Sequence, residues 1–142
     1  LSNFILSIRN INRYENSQFI TKMRAIVIDA WSNDVREVTI VDEASMLEQM
    51  YELIGCSTVE CVSLPGGNDL WVDEEGLLFL TENSRFFTYG QVMPIHGRGI
   101  ILGLDRKTGE SKSTKLKLED VTDGVDFYSI DEVRQLVRKE EY

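Results

Sequence analysis

Apolar positions along this chain recur in two rhythms, and each rhythm predicts an element. Ala25-Ile26-Val27-Ile28 is an unbroken run inside Arg24–Asp29 and predicts a central strand. From Arg36 to Val41, Val38 and Ile40 alternate with Glu37 and Thr39, so this segment pairs with the first as a β-hairpin across Trp31-Ser32-Asn33-Asp34. Met46, Leu47, Met50, Leu53 and Ile54, with Tyr51 alongside, fall at three- and four-residue steps. That stripe predicts a helix with one face buried on the sheet. Asp42 or Ser45 is placed to cap it, Ser45 with Glu48 matching a capping box. Gly55 is placed to end it, because a C′ residue adopts positive φ and glycine does so without a Cβ penalty.

The β rhythm then dominates. Thr58, Val59, Cys61, Val62 and Leu64 form a β-branched, mostly apolar strand, and Pro65-Gly66-Gly67-Asn68 turns the chain. A short strand carries Trp71, which suits either a core anchor or a partner-facing one. Asp73-Glu74-Glu75-Gly76 predicts a second turn, leading into a strand at Leu77–Leu80. Arg85–Gly90 is aromatic and β-prone, and Gln91–Gly97 holds Pro94 and His96 and reads as a loop or edge. Arg98–Leu104 returns as a buried strand whose glycines permit close backbone approach. Asp105–Ser111 is a hairpin turn by composition, and Ser113–Leu118 alternates Lys115 and Lys117 with Leu116 and Leu118 like an exposed edge strand. Ser129 with Glu132 forms a capping box before Ile130, Val133, Leu136 and Val137, a helical stripe reaching about Lys139. The expected fold class is α+β. It is a single small domain with a mostly antiparallel sheet of five to seven strands, one packed helix and a C-terminal helix.

The order MRAIVID, YELIGC, LWVDEEGLL and GRGIILG, spread over Met23–Leu104, resembles the small phage and plasmid proteins catalogued as domain of unknown function 3846. The resemblance implies a small domain from mobile elements and supplies no catalytic residue. Two departures stand out: Ser57 after YELIGC, where the family often has a charged or small residue, and a longer loop around Thr81–Gln91.

At 142 residues, 42% hydrophobic and 27% charged, the chain is long enough for one core, and no apolar run is long enough to span a membrane. The expected organisation is an N-terminal arm at 1–22, a core domain at 23–128 and a C-terminal helix at 129–142. Met23 is a candidate translation start, and the mildly basic leader is read as an arm that docks on its own core or a neighbouring subunit. Charge is unevenly placed within the net −9. Between Arg36 and Arg85 there is no lysine or arginine, while the same 48 residues hold eleven acids. Such a field disfavours nucleic acid there and favours a basic partner. A solvated face that keeps the protein soluble is the plainer alternative.

Candidate chemistry is sparse. Cys56 and Cys61 sit five apart, roughly 16 Å on an extended strand and beyond disulfide reach. They read as small buried hydrophobes in a reducing, cytoplasmic setting. Two cysteines and His96 make a poor zinc site, so neither metal nor cofactor is expected. The lone His96 sits in a Pro/Gly loop, and Asp73, Glu74 and Glu75 are consecutive, unlike the separated carboxyls that acid–base catalysis uses. Pro65-Gly66-Gly67 and Gly97-Arg98-Gly99 match no nucleotide fingerprint. No catalytic residue is expected. Trp71, Asp73, Glu74, Glu75, His96 and Arg98 are the candidate ligand- or partner-binding residues.

Three functions are then open. The first is a mobile-element protein that docks by its acidic surface onto a basic host protein and blocks a defence or nucleic-acid enzyme. The second is a binder of a phosphorylated nucleotide between the glycine loops and Arg98. The third is a structural subunit held by the N-terminal arm.

Overall fold

The computed structural model describes residues 22–41, 45–90 and 93–140. The predicted arm lies outside these residues except for Lys22, and so does Asp42. Strand β1 (Lys22–Asp29) pairs with β2 (Asp34–Val41) as the predicted hairpin. Helix α1 (Met46–Ile54) follows, then β3 (Val59–Leu64) and β4 (Asn68–Asp73), joined by the Pro65-Gly66-Gly67 turn. Strands β5 (Arg85–Tyr89), β6 (Ile95–His96), β7 (Arg98–Leu104) and β8 (Ser111–Lys112) come next. The chain closes with α2 (Leu118–Gly124), β9 (Val125–Ser129) and α3 (Ile130–Glu140).

The fold is α+β, with every strand pairing antiparallel. The main sheet runs β2-β1-β7-β4-β3 with β8 beside β7, and a second sheet runs β6-β5-β9. The main sheet is covered on both faces, which explains why β1 and β7 read as continuous apolar runs. Met23, Ala25, Val27, Ile100 and Leu102 pack with Met50 and Ile54 of α1. On the other face, Ile26, Ile28, Leu70 and Ile101 meet Phe87 of the second sheet and Val121 of α2. Gly103 shows why β7 carries glycine: a Cβ there would lie 2.5 Å from the Ser113 carbonyl oxygen.

Helix ends follow the sequence unevenly. Gly55 ends α1 at φ 81°, with its N–H bonded to the Tyr51 carbonyl. Ser129 and Glu132 form the predicted capping box, Ser129 N–H donating to Glu132 Oε1 (3.0 Å) and Glu132 N–H to Ser129 Oγ (3.2 Å). The box expected of Ser45 and Glu48 does not form; Ser45 Oγ instead accepts from Gln49 Nε2 at 2.9 Å.

Further expectations give way to the tertiary structure. Leu77–Leu80 is an exposed turn, because the two main-sheet partners of β4 are already β3 and β7. Ser113–Leu118 forms no strand. Thr114 N–H bonds the Arg24 carbonyl as a strap, its hydroxyl donates to buried Asn68, and Leu118 opens α2. The separate sheet containing β9 was not foreseen. Cys61 is exposed on the edge strand β3 and Cys56 half-buried in the loop before it, so the two are not a buried pair on one strand.

Candidate functional site

The ends of β1, β4, β7 and α1 meet at one edge of the fold and enclose a cleft of about 200 Å³. Strand alternation and the C-cap of α1 bring Asp73, Gly55, His96, Arg98 and Trp31 to its walls, with Phe79 arriving from the following turn. Each of the four segments that carry the family resemblance places a residue at or beside this cleft: Gly55, Asp73 and Arg98 line it, and Asp29 of MRAIVID holds Arg98.

Asp29 is its electrostatic anchor. It is 3% exposed, and the β1–β7 register places it directly opposite Arg98. Its Oδ2 accepts from Arg98 Nε at 3.0 Å and Arg36 Nη1 at 3.1 Å, while Oδ1 accepts from Trp31 N–H at 3.0 Å. Burial works to raise its pKa, but hydrogen bonds from Arg98 and Arg36, the Arg98 charge and a Ser32 hydrogen bond outweigh it and hold the carboxyl below its usual value. Arg98 is thereby fixed, and its Nη1 lies 3.6 Å from the place a Gly55 Cβ would occupy.

His96 is fixed by different means. Its Nδ1 lies 2.6 Å from the Gly76 carbonyl, a contact that makes Nδ1 the protonated nitrogen. Its ring stands edge-on to Trp31 (centroids 5.3 Å apart) and tilted against Phe86 (5.2 Å). His96 Nε2 is buried without a hydrogen-bond partner among the described residues. His96 therefore pins the Asp73–Leu80 turn to the cleft, and among the described residues it is hydrogen-bonded to neither a thiol nor a carboxylate. Burial and the Asp73 charge raise the Cys56 pKa, and burial with nearby Asp69 pushes Cys61 up to about 11.

Of the six residues singled out from sequence, Asp73, His96 and Arg98 meet in the cleft. Glu74 and Glu75 stand exposed on the adjoining turn, where Asp73 Oδ1 accepts the Glu75 N–H at 2.9 Å. Trp71 is half-buried against the α1-side cluster and does not line the cleft. Gly66 and Gly67 lie at the opposite end of β4 from Asp73, so the glycine loops and Arg98 do not enclose one ligand. The sequence reading missed Asp29, Arg36, Trp31 and Phe79. An acid closing an apolar strand was the available signal for Asp29, because a buried carboxylate needs partners.

The turn itself is the other half of the site. Leu77, Leu78 and Phe79 are 67%, 72% and 69% exposed, and Leu80 is also exposed. Leu77 and Leu80 border an apolar groove of about 810 Å³ with Met93, Ile130, Val133 and Val137. Glu48, Glu52, Glu60, Glu74, Glu75 and Glu82 are exposed and form no ion pair among the described residues. No group of three or more histidine, cysteine or acidic residues among the described residues is arranged to hold a metal ion. No helix among them is long and apolar enough to cross a membrane.

A family model described as Domain of unknown function (DUF3846) matches residues 23–126, and the chain belongs to that family. No curated protein and no solved structure matches it.

Proposed function

We propose that this member of the DUF3846 family is a non-catalytic binding protein of the kind phages and plasmids encode, acting in the host cytoplasm. It docks onto a basic host protein and so obstructs a defence or nucleic-acid enzyme. The observation that carries this reading is the Asp73–Leu80 turn, where four consecutive exposed apolar residues follow three acids across the single buried Gly76. A contiguous apolar patch with a charged rim is a mark of protein interaction surfaces. Its complement is an apolar pocket rimmed by lysine and arginine. The acids speed encounter by steering, and Leu78 and Phe79 serve as anchors once water is expelled.

Two features favour binding over bond chemistry. The Nδ1 of His96 is engaged by a backbone carbonyl, and both thiols are shifted toward the un-ionised form that reacts slowly as a nucleophile.

The test is capture from lysate of the native host by wild-type protein, by Phe79→Ser and by Glu74→Lys/Glu75→Lys. A basic protein retained by wild type, lost with Phe79→Ser and released as salt rises supports the reading. Capture that is indifferent to both changes and to salt, absence of any captured protein, or concentration-dependent self-association as the sole contact contradicts it.

A further inference from the structure

At the end of β4 remote from the acidic turn, the charge reverses. The Gly66-Gly67 turn, Gly103 and the β7–β8 hairpin border a cleft of about 510 Å³ whose walls carry Arg106, Lys107, Lys112 and Lys115. Asp105 is the one acid in that lining, and its Oδ1 is taken up by the Lys107 N–H at 2.9 Å. None of the four cations forms an ion pair among the described residues. The cleft is thus a cationic pocket on a protein of net charge −9.

Its floor is built rather than incidental. Asn68 is 6% exposed; its Nδ2 donates to the Pro65 and Gly66 carbonyls (3.4 and 3.3 Å), and its Oδ1 accepts from Thr114 Oγ1 at 2.7 Å. Thr114 N–H in turn bonds the Arg24 carbonyl, and Leu104 N–H bonds the Gly67 carbonyl at 2.9 Å. The turn is therefore tied to three neighbouring segments. Gly66 and Gly67 hold φ of 77° and 73°, and Arg106 Nε lies 3.8 Å from the place a Gly67 Cβ would take. A side chain at Gly67 would be strained by that positive φ, although a Cβ would only touch the guanidinium. The N–H groups of Gly66 and Gly67 enter neither the β3–β4 ladder nor a loop hydrogen bond among the described residues.

We propose that this cleft binds a small polyphosphorylated molecule, a nucleoside triphosphate by size, through Arg106, Lys107, Lys112 and Lys115 and the bare backbone of Gly66-Gly67. Fixed amides and several unpaired cations around a pocket of this volume suit two or three linked phosphates. Long nucleic acid fits less well, because the rest of the surface repels it. The site shares no residue with the acidic turn and does not rest on the docking proposed for it.

The experiment is titration of the full chain with ATP, inorganic tripolyphosphate, inorganic phosphate and adenosine, read by calorimetry and thermal shift. ATP and tripolyphosphate should bind saturably, while adenosine should not. Lys107→Glu/Lys112→Glu should lower the affinity at least tenfold, whereas Lys117→Glu, which lies outside the lining, should leave it unchanged. Absence of saturable binding, an equal loss with Lys117→Glu, or tighter binding of a DNA duplex than of ATP would overturn the proposal.

Discussion

Arg98 faces Asp29 directly across the β1–β7 ladder, and its Nε donates to Asp29 Oδ2 at 3.0 Å. This pair, completed by Arg36, fixes the arginine wall of the cleft to the ends of the central strands β1 and β7. Asp29→Asn should cost about 2 kcal/mol at neutral pH, since hydrogen bonds to charged groups are lost while the arginines stay partly hydrated. The folded pKa of Asp29 lies below the unfolded value of about 3.9. Its contribution is therefore complete above that value and disappears as pH falls through the lower folded pKa. Denaturant melts at pH 7 and pH 2 should show the gap between wild type and variant closing in acid.

Removing the imidazole tests how the exposed turn is held. His96→Ala leaves the Gly76 carbonyl without its donor and opens the space between Trp31 and Phe86. A loss of about 1–3 kcal/mol is expected. Amide exchange should quicken at 76–80 before it does in β1 or β7.

Cys61 offers a check on its chemistry. Although exposed, its thiol is held at about 11, so at pH 7.5 iodoacetamide should modify it on the order of a hundredfold more slowly than free cysteine. Asp69→Asn should speed the reaction, because Asp69 contributes both charge and a hydrogen bond to that shift.

Much of the fold was legible because the apolar rhythm is strong where one layer covers another. The β1–β2 hairpin, the α1 stripe, Gly55 and the Ser129–Glu132 box all follow from local pattern. The errors fall where local pattern met a tertiary constraint. Leu77–Leu80 has the composition of a strand but no free ladder beside it, and Ser113–Leu118 alternates like an edge strand yet serves as a strap across β1. The site was half legible. Asp73, His96 and Arg98 stood out by residue type, whereas Asp29 and Phe79 were hidden inside segments that read as ordinary strand.

Leu78 and Phe79 separate stability from function. Both are mostly exposed, so Leu78→Ser and Phe79→Ser should change stability by no more than about 0.5 kcal/mol. The same substitutions should weaken a partner complex at least tenfold, as loss of an interface anchor does. Chemical melts beside binding curves check both halves.

Hydrogen exchange on the isolated complex with the captured basic protein tests the central claim most directly. Protection appearing at 74–80 on binding, with the β7–β8 hairpin around Arg106 and Lys112 unchanged, is the predicted result. Protection that appears elsewhere while 74–80 exchanges as in the free protein would contradict it.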